Sequence, residues 1–177
     1  MEDLTLMTEE GQGIDPTRVL KVAKLLEKQV ERANKIMKDL NTFSHSTDHQ
    51  VMSIHLGELL TLMASLTVRQ AAMKNITVEV SSPGATQLHI NLLFLESLIY
   101  LIIIALIGTS QEGGKLDIRT EINNTAVQII FTTEPKDQTL TPEIQDDNIQ
   151  MLAKHLDVSL QSSGSQVSLS IPIEYVK

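Results

Sequence analysis

From Val19 onward the apolar positions recur at alternating steps of three and four: Val19, Val22, Leu26, Ala33, Ile36, Leu40 and Phe43, with Gln29 holding one place in the row. This heptad spacing predicts a long helix with an apolar seam along one side. Asp15-Pro16 supplies the start, an acidic cap followed by proline at the first helical position, so the helix is expected from Pro16 to about Phe43. A solvent-facing seam of that length needs a second helix to cover it, which predicts a homodimer built on this stem, its register set by Gln29. The polar run "SHSTDHQ", Ser44 to Gln50, then reads as a hinge.

A second helix is expected from about Ile54 to Met73, with Leu56, Leu59, Leu60, Met63 and Leu66 on one side. "NITVEVSS" alternates as a strand and is broken by Pro83-Gly84. "NLLFLESLIYLIIIALIGTSQEGG", Asn91 to Gly114, is nearly all apolar, yet its uninterrupted part runs only from Leu98 to Ile107. A bilayer takes roughly 20 apolar residues, so the stretch predicts a helix buried on most faces and ended by Gly108 and the following Thr109-Ser110. Two strands follow, "KLDIRTEI" and "AVQIIFTTE", joined at Asn123-Asn124, where asparagine's tolerance of positive φ suits a hairpin. A polar loop with Pro135 and Pro142, a helix near Ile144 to His155, and the strands "VSLQSS" and "QVSLSIPI" around Ser163-Gly164 complete the chain. Helices gathered on one face of a mixed, largely antiparallel sheet, an α+β sandwich, are the natural outcome. The expected organisation is a tail over 1–14, a helical stem and hinge over 15–50, and the sandwich over 51–177.

Composition narrows the function. A formal charge of −8 repels nucleic-acid backbones and anionic lipid surfaces, and aromatic residues at 3% with no Trp leave no platform for stacking bases. The expected partner is a protein, with neither nucleic acid nor membrane. Cysteine is absent, which removes disulfides and thiol chemistry. The opening "MEDLTLMTEEGQG" has neither the basic flank nor the apolar core of a signal peptide, so a cytoplasmic location is expected.

The runs "ANKIMKDLNTFSHSTD" and "IHLGELLTLMASLTVRQAAMKNITVEV", the strand pair "EGGKLDIRTEI...AVQIIF" and the closing "NIQMLAKHLDVSLQSSGSQVSLSIPI" together resemble sensor histidine kinases, from the second dimerisation helix through the ATP-binding domain. The resemblance spans the chain from about Pro16 and implies a histidine-kinase-like ATPase sandwich. In that family an asparagine-bearing helix holds magnesium, and counting back from Gly113 puts Ala105 and Leu101 in those places. Magnesium takes hard oxygen ligands, which neither residue offers. The adenine-binding Asp-x-Gly-x-Gly box falls on Thr133, Pro135 and Asp137, where glycines would be needed for close backbone approach. The glycine-rich lid is replaced by "TPEIQDDNIQ", with Asp146 and Asp147 where phosphates would sit. No helix with a phosphoacceptor histidine is expected ahead of Pro16. The resemblance therefore implies a fold without catalytic residues and without a nucleotide cofactor.

The remaining constellations carry less. His45 and His49 have a metal-compatible spacing if helical, but no third ligand is placed beside them, and no metal site is expected. His45, at the end of a long helix, is the candidate phosphoacceptor of an alternative reading, a histidine phosphotransferase with a degenerate ATPase fold. A remnant ATP-binding domain of a longer kinase is a third. No nucleophile elbow is present, Gly113-Gly114 reads as an ordinary turn, and His89 and His155 are expected to be packed. The leading expectation is a non-catalytic signalling module whose partner is a response regulator or a sensor kinase.

Overall fold

A computed structural model describes residues 16–45, 51–82, 86–135 and 145–176. The chain divides into two compact units, Met1–Asn41 and Thr42–Lys177. Helix α1 (Pro16–His45) starts on the expected proline and runs for 30 residues. Among the described residues of the first unit nothing covers its seam: Val19, Leu26, Ile36 and Leu40 are each about half exposed, Gln29 and Ala33 are exposed and Val22 is intermediate. Phe43 lies on the helix, with its side chain outside the described set.

The second unit runs β1 (Met52–His55), α2 (Leu56–Met73), β2 (Thr77–Ser81), β3 (Gln87–Ile90), α3 (Leu92–Thr109), β4 (Lys115–Ile122), β5 (Ala126–Glu134), α4 (Asp147–His155), β6 (Ser159–Ser163), β7 (Gln166–Pro172) and a single 3₁₀ turn (Ile173–Tyr175). Its main sheet has the order β2-β4-β5-β7-β6. The β2–β4 pair is parallel and the other three are antiparallel. The α+β sandwich expected from the sequence is what forms.

Strand alternation sorts the two sheet faces. Leu116, Ile118 and Thr120 of β4, Val127, Ile129, Phe131 and Thr133 of β5, and Val167, Leu169 and Ile171 of β7 are buried on one face. They line up across the strands, as in the row Val80, Ile118, Phe131, Val167. Against them pack Leu56, Leu59, Leu60 and Met63 of α2, the apolar side of α3, and Ile149 and Ala153 of α4. Each such side chain removed from water is worth about 1.5–3 kcal/mol. Outward positions are mostly polar, with the buried Ile130 an exception, and there Lys115 Nζ lies 2.9 Å from Glu79 Oε2 across the parallel pair. Its hydrogen bond to that carboxylate raises the ammonium pKa above the ordinary 10.5.

Helix α3 resolves the question posed by the apolar run. It is long and apolar enough to cross a membrane, yet half of it is buried, including Ile99, Ile102, Ile103 and Leu106 with no exposure. That is the burial of a core helix. Asn91 caps its start by accepting from the Phe94 amide at 3.2 Å, and Lys74 Nζ donates to the Gly108 carbonyl at its end, a cation where the helix dipole favours one.

Three local expectations change. The helix expected from about Ile54 starts at Leu56, because Met52–His55 pairs antiparallel with Gln87–Ile90, a strand the sequence pattern did not reveal. The helix expected near Ile144 starts at Asp147 with Asp146 as its cap, and Ile144 itself lies outside the described residues. The turn at Asn123-Asn124 uses no positive φ. Instead Asn123 Oδ1 accepts from the Thr125 and Ala126 amides at 2.9 and 2.8 Å, a side-chain-closed turn.

Candidate functional site

An open cleft of about 600 Å³ lies between α3 and the start of α4, lined by Leu101, Ile104, Ala105, Gln145, Asp146, Asp147, Asn148 and Ile149. Its geometry follows from two helices. Along α3 the buried residues face the sheet, while Leu101, Ile104 and Ala105 lie half a turn away and stay half-buried. The other wall is the first turn of α4, where the acidic residues of the loop arrive. Ile104, which counting back from the glycines skips, belongs to the same wall as Leu101 and Ala105; its spacing of three from Leu101 was the available signal.

The chemistry of the two walls differs. The α3 wall offers only hydrocarbon, with no oxygen or nitrogen to ligate a cation. On the α4 wall the helix N-terminus has amides of the kind that attract phosphate, but two of them are engaged: Asp146 Oδ1 accepts from the Asn148 amide at 2.9 Å and from the Ile149 amide at 3.4 Å. A phosphate there would have to displace a resident carboxylate and then sit beside Asp147, which is exposed. Among the described residues no group of three or more His, Asp and Glu side chains could hold a metal ion.

The other described positions singled out in the sequence are not on this cleft. Thr133 is buried, with its amide at 3.0 Å and its hydroxyl at 3.3 Å both donating to the Ser165 carbonyl. Pro135 follows directly on β5. Asp137 lies outside the described residues, as does His49, and His45 is the last residue of α1 with its side chain outside the described set. His89, expected to be packed, is exposed, and its Nδ1 lies 3.2 Å from Ser53 Oγ across the β1–β3 ribbon. His155, also expected to be packed, is exposed as well, although its ring stands edge-on to Phe94 with centroids 4.5 Å apart. Gly114 is more than a turn residue: a Cβ there would lie 2.5 Å from the Glu134 carbonyl oxygen, so the glycine lets the loop after α3 press against the end of β5.

No family profile matches the chain, nor does the sequence of any curated protein. Solved structures do match its fold. The nucleotide-free catalytic domain of the histidine kinase ThkA superposes with a TM-score of 0.59 at 13% identity, over 70% of this chain and 97% of that one. The Acinetobacter baumannii histidine kinase AdeS gives a TM-score of 0.55 at 15% identity, over 96% of this chain and 90% of that one. ThkA in complex with the response regulator protein TrrA gives 0.55 at 14% identity, over 97% of this chain and 55% of the other. At these identities the likeness is one of fold: the chain has the α+β architecture of histidine kinase catalytic domains.

Proposed function

We propose that this chain is a non-catalytic signalling module of two-component type, a histidine-kinase-like fold that acts in the cytoplasm by contact with a response regulator or a sensor kinase, and neither binds nor hydrolyses ATP. The observation that carries this reading is the cleft between α3 and α4, with Leu101, Ile104 and Ala105 on one wall and Asp146 and Asp147 on the other. Nucleotide binding needs hard oxygen ligands for magnesium and amides or cations for phosphate. One wall supplies hydrocarbon and the other supplies negative charge. Thr133, in the place of the adenine-binding carboxylate, spends its hydroxyl proton on Ser165. The kind of partner is suggested by ThkA, which is seen with a response regulator. The stem formed by α1 supports a homodimer, because its seam, apart from the half-buried Val22, is exposed at its described positions.

Calorimetry with Mg-ATP tests the central claim. No binding heat is expected, and a dissociation constant in the low micromolar range, about −8 kcal/mol, overturns it. A second measurement separates this reading from a phosphotransferase acting through His45. Incubation with a phosphorylated receiver domain is expected to leave the chain unlabelled. Acid-labile label that disappears in His45→Ala makes the chain a phosphotransferase instead.

A further inference from the structure

The stem carries one more apolar column than a two-helix seam uses. Val19, Leu26, Ala33 and Leu40 form one seam row and Val22, Gln29, Ile36 and Phe43 the other; the column one residue beyond the second row holds Ala23, Val30, Met37 and Ser44. Val30 is 57% exposed and Met37 62%. Two apolar positions per heptad suit a pair of helices, whereas three suit a helix with a further neighbour. In a parallel pair this third column lies beside the column of the other stem that precedes its first seam row, which holds Arg18, Leu25, Arg32 and Asp39. Pairing therefore makes two equal grooves, each floored by Ala23, Val30 and Met37 of one stem and Leu25 of the other, with Arg18, Arg32 and Asp39 of that second stem along the rim.

Charge selects what fits there. Residues 16–45 hold seven of the 14 Lys and Arg residues and three of the 22 carboxylates, a net +4, which leaves −12 for the rest of the chain. More copies of the stem in the grooves would stack like charge on like, while an acidic helix would relieve it. The seam also keeps its spacing of three and four from Val19 to Phe43 with Gln29 in the middle. A helix face made for lipid has no need of that spacing and no use for a central amide, whereas a face made for helices has both.

We propose that the paired stems take an acidic amphipathic helix of another protein in each groove, so that every stem packs on its own copy and on a foreign helix. This rests on the stem dimer proposed above. The test uses the full chain and two four-heptad synthetic peptides, apolar at three positions per heptad and flanked by Glu in one and Lys in the other, with binding read by fluorescence anisotropy and mass by light scattering. Binding of the Glu-flanked peptide at one per protomer is expected, with no binding of the Lys-flanked one. The double substitution Val30→Gln and Met37→Gln is expected to weaken binding by about tenfold or more and leave the dimeric mass unchanged. A dimer that binds neither peptide, binds both alike, or binds equally well as the double variant overturns the groove but leaves the dimer standing. A four-copy assembly does the same, since its own stems then fill the grooves. Binding to phosphatidylserine vesicles without binding to the Glu-flanked peptide overturns it in favour of a lipid surface. A monomeric mass overturns the dimer and the groove together.

Discussion

Gly108 and Gly114 stand six residues apart and accept a side chain in opposite ways. Gly108 is in the last turn of α3, and a Cβ there meets nothing within 4 Å. Alanine at that position removes glycine's excess freedom in the unfolded chain without touching the fold, so Gly108→Ala should stabilise by about 0.5–1 kcal/mol. At Gly114 the same methyl group would press on the Glu134 carbonyl at 2.5 Å and the Gln111 carbonyl at 3.0 Å, both backbone atoms that cannot swing aside. Gly114→Ala should therefore destabilise by about 1–3 kcal/mol. Urea unfolding midpoints of the two variants, measured side by side, check both signs at once.

At the scale of the element, most of what was legible came from periodicity. The seam of α1, the alternation of β4, β5 and β7 and the apolar run of α3 each span many residues and repeat the signal. What the pattern missed is short and held from elsewhere. β1 and β3 have four residues each, and it is their pairing with one another that makes them strands. The start of α2 was misplaced for a related reason: its first amide, Leu56, is satisfied at 2.9 Å by the Thr86 carbonyl across the chain, so no Ser, Thr, Asp or Asn marks the boundary at His55. The wall formed by Leu101 and Ala105 was legible by counting from the glycines, whereas the amide capping by Asp146 depends on where α4 begins and was not. The stem carries its own expectation. Ile36→Asp puts a carboxylate into the seam at a cost of several kcal/mol once desolvated, and should halve the mass seen by light scattering at micromolar concentration. Gln29→Leu should tighten the dimer and loosen its choice of register. A mass near 19.6 kDa for the unaltered chain, unmoved by Ile36→Asp, rules the stem dimer out.

For the molecule as a whole, the sheet's order sets the order in which it can assemble. β4 and β5 are neighbours in sequence and in space, and so are β6 and β7, so each hairpin closes over a short loop. β2 is different. It lies parallel to β4 with β3 and the whole of α3 between them, and that contact forms only after a long loop has been closed. Until then β4 presents an unpaired edge, a state in which a second chain could pair in place of β2. The slow step of folding and the main route to aggregation are thus expected at the same junction. Native-state hydrogen exchange should find the amides of Thr77 and Glu79, which face β4, opening at lower free energy than those of Ile129 and Phe131 in the centre of the sheet; equal protection of both strands would show that the crossover is not the weak point. The parallel pair that completes the sheet makes β2 the strand that joins last and leaves first.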